Sequence, residues 1–528
     1  MKTSIKKQRK MNYKNFILTK LAVGLLVFSC LLGSCTENFE ARNTSPTGLE
    51  TLSPEDVKSL FPNALYRGWN QGSYQTGQNL TADTYAQFFA GTQPAFASHR
   101  YVINQSWMRS FWTGTYVSTL PSLFTIVNET NGGDLPTLNA IARIWRVFIM
   151  NRTTDYFGPI PYSEIGSDGL EIAYDSQKDI YYDFFKELDE ATTDLKNNLD
   201  IVSYQEKDLI YQGDNEKWLK FGNTLRLRLA LRISGVEPEK ARTEAEASLA
   251  GGVMEDYTED AFMAPTSANF NGLNRITAWN EFRMSANMES LLLGYNDPRL
   301  SIYFEPAKAD GEWRGARSGM IPAEQTLGFN TYAYTSNLSP RFHPENQSTN
   351  PMTVMYSAEA YFLRAEGALN GWNMGGTAEE LYNKGIEMSM HTWGIMDDAV
   401  ISEYINGTSL PIAPAPENGW NTPPLTDIPV KFSSDLEKQR EQIGTQKWLA
   451  LFPNGMEGWA EMRRSGYPKM YPLIHSDNDD IEADEMIRRI VFLDLERTSN
   501  GNAVDAAVSL LGPGGDKVST RLWWDVAN

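Results

Sequence analysis

Cysteine is almost missing from this chain. Of 528 residues only Cys30 and Cys35 carry a thiol, and both lie in the first 35 positions. A fold built from the remainder has no disulfides and must be held by packing. Histidine is nearly as scarce: His99, His343, His391 and His475 stand singly, without the spacing of a metal-ligand set. Strings that mark large enzyme classes are absent too. There is no HExxH zinc helix, no G-x-S-x-G elbow and no G-x-x-x-x-G-K phosphate loop. The one S-x-x-K string, Ser4 to Lys7, lies at the extreme N-terminus. These absences weigh against an enzyme. They do not exclude a glycosidase, whose paired carboxylates are defined by separation in space. Positive charge is also short, with 66 acidic residues against 47 basic ones. Such a surface repels phosphate backbones, which argues against nucleic acid as a partner.

What is present begins at the N-terminus. Seven basic residues from Lys2 to Lys20 precede an almost wholly apolar run, Leu21 to Ser34, which ends in Leu32-Gly33-Ser34-Cys35. The run is short of the roughly 20 apolar residues a membrane span needs. The layout is that of a secretory signal with a small-residue cut site. A cut before Cys35 would leave a cysteine at the new N-terminus, as in a lipoprotein. A cut before Cys30 would place bulky Phe28 at the site, so Cys35 is the expected lipid attachment. Residues 1–34 are therefore read as a signal and 35–52, polar and holding Pro46, as a lipidated tether. Residues 53–528 are read as one domain. Without its signal the chain carries 66 acids and 40 bases, a net charge of −26. The lipid, without help from a basic patch, would hold it to a membrane.

Helical periodicity runs through several segments. In 215–234, Trp218, Phe221, Leu225 and Leu229 recur at spacings of three and four. Segments 181–199, 355–371 and 378–390 behave alike, and the small residues Ala358, Ala365 and Ala368 would admit a neighbouring helix. From Pro54 a further helix is expected. Paired amphipathic helices suggest a tetratricopeptide-like arrangement. Three stretches, 68–115, 256–350 and the proline-dense 406–434, read as long irregular loops. The acidic run from Asp477 to Glu485 lacks the glycine and terminal glutamate of a calcium loop and reads as solvated.

Several strings then fall into one order. Trp145-Arg146-Val147-Phe148 leads through Thr154-Asp155-Tyr156-Phe157-Gly158-Pro159-Ile160-Pro161-Tyr162. Gly213-Asp214-Asn215-Glu216-Lys217-Trp218 runs into Leu225-Arg226-Leu227-Arg228. Asn296-Asp297-Pro298-Arg299-Leu300, Ala358-Glu359-Ala360 and Thr445-Gln446-Lys447-Trp448 follow. Trp459 to Pro468 and Thr520-Arg521-Leu522-Trp523-Trp524-Asp525 close the series. In this order the chain resembles the SusD/RagB family of nutrient-binding outer-membrane lipoproteins of Bacteroidetes. Pro159 stands for the usual Asp and Ser465 for the usual Thr. The resemblance implies a mostly α fold: tetratricopeptide-like helix pairs, long irregular loops and few short strands. It implies no catalysis, cofactor or metal. It also implies a partner, a SusC-like TonB-dependent transporter, over which a surface-exposed lipoprotein sits as a lid and delivers glycan.

Within the recognised strings, Trp218, Trp448, Trp459 and Trp523 are expected in the core. Asp155, Arg463 and Arg464 are expected in buried or capping ion pairs. Ligand contacts should then come from aromatics outside those strings. One loop region offers Phe96, Tyr101 and Trp107. The other offers Trp279, Trp313, Phe329, Tyr332 and Tyr334. Asn104, Gln105, Arg283 and Arg317 stand near them and could bond hydroxyl groups. A poly- or oligosaccharide is the expected ligand. A peptide-capturing lipoprotein and a surface glycoside hydrolase are the alternatives.

Overall fold

The computed structural model describes residues 52–526, apart from Leu170 and residues 416–418. Cys35 and the 1–34 and 35–51 segments lie outside the described residues.

Helices dominate. The longer ones are α1 (Pro54–Asn70), α2 (Gln105–Thr113), α3 (Leu120–Glu129), α4 (Pro136–Phe157) and α5 (Gln177–Asn197). They continue with α6 (Asn215–Arg232), α7 (Pro238–Gly251), α8 (Ala286–Gly294), α9 (Ser357–Leu369) and α10 (Ala378–Thr392). Then come α11 (Asp398–Ile405), α12 (Leu436–Leu451), α13 (Gly455–Ser465) and α14 (Gly501–Leu510). Sequence-local signals start many of them. Ser176 Oγ accepts from Asp179 N, Asp214 from Lys217 N and Asp435 from Lys438 N. Thr377 and Glu380 form a reciprocal capping box at α10. Each cap satisfies an amide that the helix itself leaves without a partner.

Consecutive helices pack on one another: α4 on α5, α5 on α6 and α6 on α7. Farther on, α9 packs on α10 and α12, and α12 on α13. This is the helix-pair scaffold the periodicity called for. Trp145, Trp218, Trp448, Trp459 and Trp524 are among its largest buried side chains. Trp523 is half-buried, its ring 6.0 Å from that of Tyr181.

Charge is buried along with the aromatics. Helix α6 carries Leu and Arg in alternation, and every residue from Phe221 to Arg232 is buried. Arg226 donates to Glu244 and Asp189, each at 2.7 Å. Arg228 forks onto Glu359 at 2.6 and 2.7 Å. Arg232 reaches Glu457 at 2.6 Å. Asp155 accepts from Tyr181 Oη at 2.7 Å and Trp524 Nε1 at 2.9 Å. Arg463 donates to the carbonyls of Asp155 and Arg488, and Arg464 forks onto Glu366. A charge taken from water must find such partners, because desolvation costs several kcal/mol per ion. Residues from several of the quoted strings meet in space: Trp524 donates to Asp155, and Arg228 and Arg232 share Glu457.

Two stretches expected to be irregular are more ordered: α2 lies within 68–115 and α8 within 256–350. Residues Tyr74–Asp83 wind as a ten-residue π-helix, nearly all of it buried. Its polar side chains satisfy one another: Tyr74 Oη, Gln78 Nε2 and Asn79 Nδ2 all donate to Asp83. Buried polar residues leave no apolar period to read, which is why the segment looked like a loop. Strands are few and short among the described residues. β1 (Phe89–Gly91) pairs with β5 (Phe282–Met284), β2 (Ile160–Pro161) with β3 (Tyr174–Asp175), and β4 (Ala261–Met263) with β6 (Met352–Met355), all antiparallel.

Candidate functional site

The β1–β5 ladder gathers the two loop regions that are far apart in sequence. Phe89 lies opposite Met284, Ala90 opposite Arg283 and Gly91 opposite Phe282. Thr92 continues the ladder, its amide donating to Glu281 O and its hydroxyl to Asn280 O. From β1 the chain runs into the 92–104 loop. Into β5 it comes from the turn that carries Trp279. That turn closes at Asn280, whose φ of +58° is left-handed, a conformation Asn tolerates better than most residues.

A third loop, 321–335, is tied to the same ladder. Gln325 Nε2 donates to Gly91 O at 2.8 Å. Arg283 Nε donates to Tyr332 O at 3.1 Å, and Met284 N to Ser336 O at 3.0 Å. Gln325 Nε2 and Arg100 Nη1 both approach His99 Nε2 at 3.2 Å. Both are donors, so that ring nitrogen is an acceptor and the ring is neutral. Burial, aided by the Arg100 charge, pushes the imidazole down to about 3. An uncharged His99 is thus the hinge pin between two loops.

On this frame the candidate aromatics sort themselves. Trp279 and Tyr332 stand out, 43% and 50% exposed, with Leu327 at 62% on the same loop as Tyr332. Beneath Tyr332 lies the Arg283 guanidinium, 5.5 Å from the ring centre. Phe96 and Trp107 are half-buried and meet edge to face, centroids 5.6 Å apart. Trp313 is half-buried. Phe329 is also half-buried, held between Tyr334 at 5.0 Å and the Arg314 guanidinium at 4.7 Å. Tyr101 departs from the expectation. It is 4% exposed, its ring packs on Tyr85, and its hydroxyl donates to Glu485 O. A side chain so enclosed and satisfied is a packing residue with no face left for a ligand.

The polar neighbours are engaged as well. Asn104 Oδ1 caps α2 by accepting from Ser106 N and Trp107 N. Gln105 Oε1 accepts from Asp494 N. Arg283 spends its three nitrogens on Tyr332 O, Phe282 O and Asn280 Oδ1, and burial lowers its guanidinium to about 10. Arg317 donates to Thr422 Oγ1 and Pro472 O. The two arginines aim loops; Asn104 and Gln105 are bonded here through their side-chain oxygens. Leu327, Gln325 and His99 escaped the sequence reading. Nothing local marks a lone glutamine or histidine as the tie between loops distant in sequence. At the ladder's end the Glu281 carboxyl is pushed up by burial and takes a 2.6 Å bond from Gln75 Nε2. The assembly places two half-exposed rings, Trp279 and Tyr332, on a hydrogen-bonded frame.

Residues 54–525 match the family model described as SusD-like, the Susd and RagB outer membrane lipoprotein family. The chain belongs to the SusD-like family. Among solved structures it is similar to a chitin-binding SusD homologue of Flavobacterium johnsoniae, at 35% identity and a TM-score of 0.82 over 89% of this chain and 99% of that one. A SusD-like protein of Bacteroides thetaiotaomicron is 34% identical, with a TM-score of 0.81 and the same coverage. A SusD homologue of Bacteroides uniformis is 32% identical, with a TM-score of 0.80, again over 89% and 99%. No curated protein matched. No helix among the described residues is long and apolar enough to cross a membrane.

Proposed function

We propose that this chain is a glycan-binding lipoprotein of the outer-membrane surface. It captures a poly- or oligosaccharide on the loops gathered at the β1–β5 ladder and hands it to a TonB-dependent transporter of the SusC type. The observation that carries the reading is the exposure of Trp279 and Tyr332 on loops fixed by Arg283 and Gln325. Exposed ring faces stack on the C–H faces of sugars. The chitin-binding activity named for the Flavobacterium johnsoniae relative supports a carbohydrate ligand. A receptor must release its cargo, and a few stacked rings supply that modest affinity.

The test is incubation of the protein with a panel of soluble glycans, followed by calorimetry and product analysis. Saturable binding without new reducing ends is the expected result. Cleavage products would overturn the receptor reading. Anchorage is tested separately. A lipid on Cys35 would tether the lid through residues 35–52 while it swings over its barrel. Cys35→Ala should leave glycan binding intact while releasing the protein from membranes and stopping uptake; unchanged uptake would remove this role.

A further inference from the structure

A cleft of about 930 Å³ opens on the helix scaffold, lined by residues other than the loop aromatics. It lies between the α6–α7 corner, the end of α9, the first half of α12 and the segment that follows α13. Its size is near the upper end for ligand sites, about 300–1,000 Å³. Three rings line it: the buried Trp524, Trp372 just beyond α9, and Tyr467 just beyond α13. Trp372 and Tyr467 are half-buried, and glycines seat both. A Cβ on Gly367 would stand 3.1 Å from Trp372 Cε3, and one on Gly444 would stand 2.4 Å from Tyr467 Cβ. The Tyr467 hydroxyl is held by Glu437. Each ring is therefore placed by its neighbours and not left to swing.

Charge in the lining is balanced, four carboxylates against four cations. The deep ones are spent on each other, as in the fork of Arg464 on Glu366. At the rim Arg440 reaches Asn370 only at 3.4 Å, and Arg242 holds Glu246 at 3.0 Å on exposed side chains. We infer that this cleft is a second binding site, for a neutral, hydroxyl-rich oligosaccharide segment whose sugar faces stack on Trp372 and Tyr467. Balanced charge gives no preference for an ionic ligand, while rim guanidinium and amide groups can donate to hydroxyls. Much of the wall is helix, whose backbone groups are already bonded, so an extended peptide finds no strand edge to join there. Rings and side-chain donors suit a sugar better.

The inference rests on the glycan reading of the protein but concerns different residues. The probes are maltohexaose, cellohexaose and N-acetylchitohexaose, titrated calorimetrically into the full-length protein in detergent. In the Trp279→Ala/Tyr332→Ala protein, at least one hexaose should still bind. Adding Trp372→Ala, or separately Arg440→Ala, should weaken that remaining binding about tenfold, with the far-ultraviolet circular-dichroism spectrum showing each variant still folded. Loss of all binding in the loop variant alone would overturn the second site and leave the loop reading standing. Residual binding indifferent to both cleft variants would also overturn it. Displacement of the bound hexaose by a tryptic casein digest would overturn the sugar assignment in favour of peptide. An unaltered protein that binds no hexaose would overturn both readings. Binding lost with Trp372→Ala but untouched by the loop variant would overturn the loop site alone.

Discussion

The scaffold and the loops use the same residue types to opposite ends. In the helix pairs, tryptophans and arginines are buried: Trp218 and Trp459 are fully enclosed, and Arg228 and Arg232 have their carboxylates beside them. In the loops at the β1–β5 ladder, Trp279 and Tyr332 are half-exposed, and the arginine below Tyr332 bonds to backbone carbonyls. A tryptophan in this protein is therefore defined by what surrounds it. Around Trp218 and Trp459 helices close on every side; beside Tyr332 an arginine braces the loop carbonyl and leaves the ring displayed.

The sharpest way to break this comparison is to remove one partner from the scaffold network. Glu359→Ala leaves Arg228 buried without its fork. The expected cost is about 3–5 kcal/mol of stability, measured by urea denaturation monitored through tryptophan fluorescence. A cost under about 1 kcal/mol would mean that the network behaves like a set of surface pairs, and the contrast between the two regions would fall.

A middle effect belongs to the pin between the loops. The His99 imidazole is lowered to about 3 in the fold, against about 6.5 unfolded. Between these values the unfolded chain binds a proton that the folded chain refuses. Its contribution is thus complete above the unfolded value and is lost as pH falls through that window. From pH 7 to 4.5 the loss should be about 3 kcal/mol. Comparison of the wild type with His99→Gln isolates it: the variant should show a correspondingly shallower fall in stability over that range. Parallel pH curves would show that His99 takes a proton freely and is not sealed between the loops.

The scaffold was legible from sequence because it obeys local rules. Periodicity placed α5, α6, α9 and α10, and the caps Asp214 and Thr377 stand where the chain enters α6 and α10. Asp155, Arg463 and Arg464 were recognisable as buried partners because isolated charge in such strings needs neutralising. The π-helix at Tyr74–Asp83 was not legible, since its polar side chains close on themselves around Asp83. Nor were the ties among the loops. Gln325 meets Gly91 across more than 200 residues, a contact with no local signature. Tyr101 shows the same limit from the other side: composition made it a candidate surface ring, and only the proximity of Tyr85 and Glu485 puts it in the interior.

The smallest expected stability effect is the most telling for function. Trp279 and Tyr332 each keep about half of their surface in water, so truncating them removes only part of what a core aromatic buries. Trp279→Ala/Tyr332→Ala should cost about 1–2 kcal/mol of stability, less than either change above. Arg283 bonds to the backbone of Tyr332 and not to its ring hydroxyl, so the loop tie survives the change. Glycan binding through the loop site should meanwhile fall at least tenfold, the loss of about 1.4 kcal/mol or more of stacking. Trp107→Ala is the control on the same surface. Its ring is half-buried against Phe96, so it should cost stability first and affinity second. If the exposed pair proved costly to folding and idle in binding, display and core would have exchanged places, and the distinction between the two regions would rest on exposure alone.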